Sequence, residues 1–354
     1  MKTMAASAVQ IQRSELYAGY WLDDAARAQT SSGGIVSCIL ADLLERSIIK
    51  GALVSRITSV EGKVRAVTSI AKTKQEILLH GGSSYIDSDV VEKIKELKDL
   101  PGRYAVVAIP CQVRAIRALM ARDPDLAKKF NPVIGLFCRG NVNPEFYDDF
   151  FKKRGLRADN IDQVKILRGH TSGNVNISLK DGSETSIPFM SMNSYRLAGI
   201  HAKSLCAWCD EHKSESADIS VGDIFSQEFK QKAVKHSSFI PRTEEMAGLM
   251  QDLVKRKMVT CEFVGMGKYL AEFAKVERFS SNLAPRYAAA GMAGLHRPRT
   301  KPQGKVNPFH VLSWAVFFYN SRLSQSEKGR RFLFSLPPVL VKATAFIIKG
   351  LSRL

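Results

Sequence analysis

The stretch YAVVAIPCQVRAIRALMAR, residues 104–122, constrains this chain more than any other. Residues 104–110 are a short unbroken apolar run, as expected of a strand buried on both faces. CQVRAIRALMAR follows at once with its apolar residues at helical spacing, and VIGLFC (133–138) repeats the buried-strand pattern. Strand, helix and strand in direct succession predict an α/β fold, with a mostly parallel sheet flanked by helices.

Other segments extend this reading. In SSGGIVSCILADLLERSIIK (31–50), Ser31 and Ser32 suit a helix N-cap, and Ile35, Ile39, Leu43 and Leu44 form one stripe. GALVSRIT (51–58) and KVRAVTSI (63–70) read as strands, and a helix is expected from about Pro144 to Lys153. The style then changes to α+β. VKILRG (164–169) and VNISLKDGSETSIPF (175–189) read as an antiparallel hairpin subregion, with Asp181-Gly182 as its turn. ADISVGDIF reads as another strand, and TEEMAGLMQDLVKRK (243–257) as a helix. The Pro-rich basic stretch 296–310 leads into VLSWAVFFYNSRL and LPPVLVKATAFIIKGLSRL, which Pro337-Pro338 and Lys342 interrupt and which suit amphipathic helices that lie on a membrane surface or dock equally well on the chain's own domain or on a partner. Three regions are expected: 15–160, 161–290, and a basic linker with a helical C-terminal extension, 296–354.

A hydrophobic share of 45% beside 24% charged residues is a globular balance. Six cysteines are too few for a secreted disulfide scaffold, which points to a reducing compartment. The N-terminal residues lack a signal-peptide core, and no run of about 18–20 apolar residues suggests a spanning helix. The expected location is cytoplasmic, with membrane association at the C-terminal segment. The net charge is +18. Between His296 and Leu354, eleven Lys and Arg face a single acid, Glu327. That excess suits an anionic partner or a solvated tail.

Cys111 follows Pro110 directly and Cys138 closes LFC, both at the C-terminal ends of expected parallel strands, where open sheets build sites. Cys206 and Cys209 form a CxxC. Four thiolates suit zinc or an iron–sulfur cluster, and the wide spacing is more natural for a cluster than for two paired zinc knuckles. A redox disulfide at 206/209 and inert thiols are the other readings, and inert burial is the expectation for Cys38 and Cys261. The loop Ser31, Ser32, Gly33, Gly34 opens a helix and suits a phosphate or flavin edge. Gly82, Ser83, Ser84 and Tyr85 form a second small-residue loop, which by itself is equally a turn. Arg168 and His170 at a strand end suit an anionic ligand or a surface ion pair. Asp223 suits a turn or a ligand-orienting role. No catalytic residue stands out.

In this order, SSGG before an apolar helix, GSSY, PCQ with AIRAL, IGLFC, RGH, CxxCD before ADISVGD, and FIPRT resemble the coenzyme F420 hydrogenase/dehydrogenase beta-subunit family over roughly residues 15–285. The resemblance implies an iron–sulfur flavoprotein oxidoreductase. It would bind FAD and a 4Fe-4S cluster and pass electrons between a hydride carrier or organic substrate and a one-electron donor such as ferredoxin. It implies that Cys111, Cys138, Cys206 and Cys209 are the cluster ligands, and that Ser31–Gly34, Gly82–Tyr85, Arg168 and His170 contact the flavin. The first region becomes flavin-binding and the second cluster-binding. Coenzyme F420 and NAD(P)H are the candidate hydride carriers, although Ser84 stands where the family's loop carries lysine, which counts against F420. No cysteine-rich stretch precedes Cys38, so one cluster is expected. An acidic ferredoxin-like protein or another redox subunit is the expected partner, with peripheral membrane contact through 309–354. The competing readings are a non-catalytic electron-relay subunit and a zinc-stabilised nucleic-acid-binding protein. Nucleic acid is not expected, because the basic excess lies away from the cysteines and no aromatic platform interleaves with it.

Overall fold

Pro110 sits in the first helical turn and the Gln112 side chain accepts the Ile109 N–H at 3.2 Å, so the chain turns from strand to helix within one residue. The computed structural model describes residues 9–168, 173–224, 226–299 and 302–352. Its strands are β1 (Tyr17–Gly19), β2 (Gly51–Val60), β3 (Lys63–Ala71), β4 (Tyr104–Ala108), β5 (Phe130–Leu136), β6 (Ile161–Arg168), β7 (Gly173–Leu179), β8 (Glu184–Pro188), β9 (Ile219–Asp223), β10 (Ser237–Pro241) and β11 (Glu262–Phe263). They form one sheet in the order β11-β1-β10-β9-β5-β4-β2-β6-β7-β8, with β3 also paired to β2.

The sheet is mixed, as the α/β reading with an antiparallel subregion requires. Its parallel part is the centre: β2–β4, β4–β5 and β5–β9. The remaining pairs are antiparallel, a larger share than the hairpin subregion alone. Part of the reason is local. Glu61 and Gly62 both have positive φ, +50° and +72°, and fold β2 directly back into β3. The expected turn at Asp181-Gly182 joins β7 to β8, with Gly182 at φ +85°.

Neighbouring residues of the central strands enter different cores. Ala52, Val54, Ala105 and Ile134 pack with the helices Ile35–Glu45 and Glu244–Lys255. Leu53, Tyr104, Val106 and Val133 pack with Pro110–Arg122 and Val90–Glu96 on the other face. This two-sided burial is why those strands read as unbroken apolar runs. A third core joins the hairpin β6–β7 to the aromatic helix Glu145–Lys152 and to Leu333, Phe334, Val341 and Ala345 from the C-terminal helices. Those helices are Pro308–Leu323, Glu327–Ser335 and Pro338–Leu351. The break at Pro337-Pro338 is a bend of 100°. Among the described residues, no single helix is long and apolar enough to cross a membrane.

Candidate functional site

Because β4 and β5 run parallel and adjacent, the segments leaving their C-terminal ends emerge side by side, carrying Cys111 and Cys138. Cys111 is exposed, while Cys138, Cys206 and Cys209 are partly buried. The chain after the CxxC folds across the end of β5: the Cys138 N–H donates to the His212 carbonyl at 3.0 Å, and Ser214 Oγ donates to the Leu136 carbonyl at 2.9 Å. Gly135 is obligatory there, since a Cβ would stand 2.2 Å from that of Ser214.

Electrostatics couples the thiols. Burial pushes Cys138 up to about 12, partly offset by the Gly140 N–H, with the Cys206 and Cys111 charges adding to the rise. Cys111 is raised by burial and then by Cys206 and Cys209. Cys206 is raised by burial, lowered by the Asn141 N–H that donates to its sulfur at 3.3 Å, and raised by Cys209. Each sulfur therefore lies within electrostatic reach of others in the set. Among the described residues, no three His, Cys, Asp or Glu side chains stand close enough together to hold a metal ion. The thiols form an open group. Its donor chemistry is four soft sulfurs, with the Gly140 and Asn141 N–H groups directed at Cys138 and Cys206, the ligand type that zinc or an iron–sulfur cluster takes.

A buried cation backs the CxxC. Arg286 in the helix Leu283–Met292 is only 2% exposed and donates through Nη1 to the carbonyls of Ala207 (3.1 Å) and Cys209 (2.9 Å). Its guanidinium stacks over Trp314 at 4.5 Å. Burial pulls its pKa down to about 10, and the neighbouring Cys209, Asp210 and Cys206 charges oppose that, so it stays cationic at neutral pH.

The two serine loops meet. Ser31 Oγ and Ser83 Oγ are 2.6 Å apart, and the Ser31 N–H donates to the Gly81 carbonyl at 2.8 Å. Ser83 N–H donates to Ile166 of β6 at 3.1 Å. The glycines have steric duties of their own. A Cβ on Gly33 would lie 2.5 Å from the Ser237 nitrogen and 2.6 Å from the Gly19 oxygen, and Gly34 caps its helix at φ +78°. The Ser32 hydroxyl donates to the His236 carbonyl at 3.2 Å. Cations that no sequence motif marked surround this junction. Lys235 donates to the Ser31 carbonyl at 3.2 Å and pairs with Asp223 at 3.0 Å, which gives Asp223 a structural role. Arg56 and Lys165 line one small cavity with Gly82, Ser83 and Ser84, and burial lowers the Lys165 pKa. Arg168 ends β6 opposite Gly173, while His170 lies outside the described residues.

Three strips of chain tie the serine loops to the thiols. Ile86 pairs with Val142, and Val142 pairs with Ala202, as isolated bridges. Asn141 joins all three strips: its side chain donates to Asp87 at 2.9 Å, its carbonyl accepts the Lys203 N–H at 3.1 Å, and its own N–H reaches Cys206. Lys203 closes the strap with an ion pair to Asp87. Arg196 spans the same gap. Its guanidinium lies 4.5 Å from the Tyr85 ring centroid, it donates to the Gly140 carbonyl at 3.2 Å, and its charge lowers the pKa values of Cys138 and Cys206. Sequence reasoning missed Asn141, Arg196 and Arg286, and no spacing signal marks them. Cys38 and Cys261 are buried in the core away from this site, as expected.

Two family models match the chain, both describing the beta subunit of coenzyme F420 hydrogenase/dehydrogenase. The model of its N-terminal part matches residues 16–95, and the model of its C-terminal part matches 102–264. The F subunit of the F(420)H(2) dehydrogenase from Methanosarcina mazei is 28% identical over 198 residues, covering 56% of this chain and 53% of that protein. The coenzyme F420-dependent sulfite reductase of Methanocaldococcus jannaschii is 24% identical over 313 residues, covering 79% of this chain and 46% of that protein. The chain thus spans about half the length of these relatives. The beta subunit of the coenzyme F420 hydrogenase from Methanothermobacter thermautotrophicus is 26% identical over 63% of this chain and 75% of its own length. A chain of the F420-reducing NiFe hydrogenase complex from Methanosarcina barkeri shares the fold, with a TM-score of 0.60 at 18% identity over 82% of this chain and 97% of that one.

Proposed function

The chain belongs to the coenzyme F420 hydrogenase/dehydrogenase beta-subunit family, and we propose that it is an electron-transferring oxidoreductase subunit. In this reading FAD is held at the junction of the two serine loops, and a 4Fe-4S cluster on Cys111, Cys138, Cys206 and Cys209. The observation that carries the proposal is the Asp87–Asn141–Cys206 strap, which joins the end of one loop to the thiols through consecutive hydrogen bonds.

A flavin, when bound, exchanges electrons in pairs or singly, and a cluster exchanges them singly. The chain's own residues hold and separate the two centres. The Ser31 and Ser83 hydroxyls, with Lys235, Arg56 and Lys165 close by, offer donors and positive charge to an anionic cofactor. Arg196 places a fixed cation between Tyr85 and the sulfurs, and Arg286 places a second behind the CxxC; both favour the thiolate over the thiol there. The amides of Gly140 and Asn141 stabilise charge on Cys138 and Cys206. Ser84 in place of the family's lysine weighs against F420 as the hydride carrier and leaves NAD(P)H or an organic substrate. The net charge of +18 favours an acidic, ferredoxin-like redox partner, with association that weakens as salt rises.

Anaerobic purification followed by flavin, iron and sulfide analysis tests this. The expected product is coloured and contains all three; Cys206→Ser/Cys209→Ser loses the iron and sulfide but keeps the flavin. A colourless product containing none of them overturns the reading, and zinc without iron favours a structural metal site.

A further inference from the structure

The helix Pro338–Leu351 is apolar on two opposite sides, and the fold uses only one of them. Val341, Ala345 and Ile348 recur at helical spacing and are buried against the third core and the helix Pro308–Leu323, where Ser313 Oγ donates to the Ile348 carbonyl at 3.0 Å. The arc opposite them carries Val339, Leu340, Ala343, Phe346, Ile347 and Gly350, all exposed. Val339 is 68% exposed, Phe346 66% and Ile347 56%. No polar side chain interrupts that arc. Lys342 and Lys349, seven residues apart, stand along one edge of it. Phe332, across the 100° bend, is 56% exposed as well.

We propose that this face is a membrane-docking surface: the helix lies in the plane of an anionic lipid bilayer, with Val339, Leu340, Phe346 and Ile347 in the acyl boundary and Lys342 and Lys349 at the headgroups. Length rules out crossing, because 14 residues reach about 21 Å against a hydrocarbon core of about 30 Å. Charge selects the lipid. The helix Pro338–Leu351 carries Lys342 and Lys349 and no acid, whereas Arg330 and Arg331 on the preceding helix are paired with Asp149 at 3.3 Å and Glu327 at 2.6 Å. The make-up of the face selects lipid over protein. A protein interface of this kind carries a hydrogen bond per roughly 100–200 Å² and is depleted in lysine. Here unbroken aliphatic and aromatic surface meets only lysine stems long enough to snorkel. The proposal stands independently of the cofactors.

Flotation of the full chain with vesicles tests it, comparing pure phosphatidylcholine with mixtures containing phosphatidylglycerol. The chain is expected to float with the anionic vesicles and to stay behind with the neutral ones. Phe346→Ser/Ile347→Ser is expected to lower partitioning about tenfold or more, and Lys342→Glu/Lys349→Glu to abolish the preference for phosphatidylglycerol. Both variants alter solvent-facing side chains, so an unchanged thermal melt verifies the fold. Failure to float with any vesicle, or flotation that Phe346→Ser/Ile347→Ser leaves intact, overturns the proposal. So does an oligomer that the same variant dissolves without any vesicle binding, which assigns the face to a protein contact.

Discussion

Two regions of the sheet hold cysteines and glycines for different reasons. Around β1 and β10, packing accounts for every such residue. Cys38 and Cys261 fill core positions, and Gly33 lets two backbones approach more closely than a Cβ allows. At the C-terminal edge of β4 and β5, packing does not account for the thiols. Cys111 is exposed at the start of a helix, and Cys138, Cys206 and Cys209 are partly buried within electrostatic reach of one another or of it, with N–H donors and two cations, Arg196 and Arg286, close by. Cys111 feels the charges of Cys206 and Cys209, and Cys138 those of Cys206 and Cys111, which is the ground on which the proposed function assigns chemistry to this group. The comparison also divides the serine loops. Gly33 and Gly34 belong with the packed region, whereas Ser31 and Ser83 face each other across a junction ringed by cations.

Iron content separates the two regions most widely. Cys138→Ser is expected to lose nearly all bound iron and Cys261→Ser none, measured on anaerobically purified protein; equal losses would erase the distinction. Stability should separate them next. Gly33→Ala forces a Cβ into backbone and is expected to cost about 2–3 kcal/mol in denaturant unfolding. Gly248→Ala, in the helix Glu244–Lys255 where a Cβ meets nothing, is expected to stabilise by up to about 1 kcal/mol. Arg286→Met removes the donor to two carbonyls of the CxxC turn and should cost about 2 kcal/mol. It should also shift the reduction potential of the iron-loaded protein downward, because a positive charge behind the thiolates is lost; an unchanged potential would make Arg286 purely structural.

Burial pushes both Cys38 and Cys261 up to about 12 from an ordinary value of 9. The folded chain holds these protons more tightly than the unfolded chain. Their contribution to stability is therefore complete below about pH 9 and is lost as pH rises from 9 towards 12. Cys38→Ala should flatten the fall in melting temperature across that window. The smallest expected contrast is kinetic. In metal-free protein near neutral pH, a thiol reagent should label Cys111 well before Cys38 or Cys261, as peptide mass mapping would show.

Much of this was legible along the chain. The buried strands, the helix behind PCQ, the hairpin turn at 181–182 and the apolar C-terminal helices all follow from local periodicity and turn chemistry. β1, β10 and β11 were not, since two to five residues carry no period to read, and β1 pairs with β10 and β11 more than two hundred residues away. The helix Phe189–Leu197 was masked by the strand pattern running into Pro188, and with it Arg196 was missed.

The order of residues by itself settled which groups exist: four separated thiols, two serine loops, a last helix with apolar residues on two sides and lysines between them. Tertiary structure alone decided which of them meet. Asn141 links Asp87 to Cys206, Arg286 arrives behind the CxxC from a helix some eighty residues on, and one side of the last helix is covered while the other faces out. The physical reason is range. Periodicity and caps act over a few residues, whereas hydrogen bonds, charges and packed surfaces act between atoms that are close in space, wherever along the chain they come from.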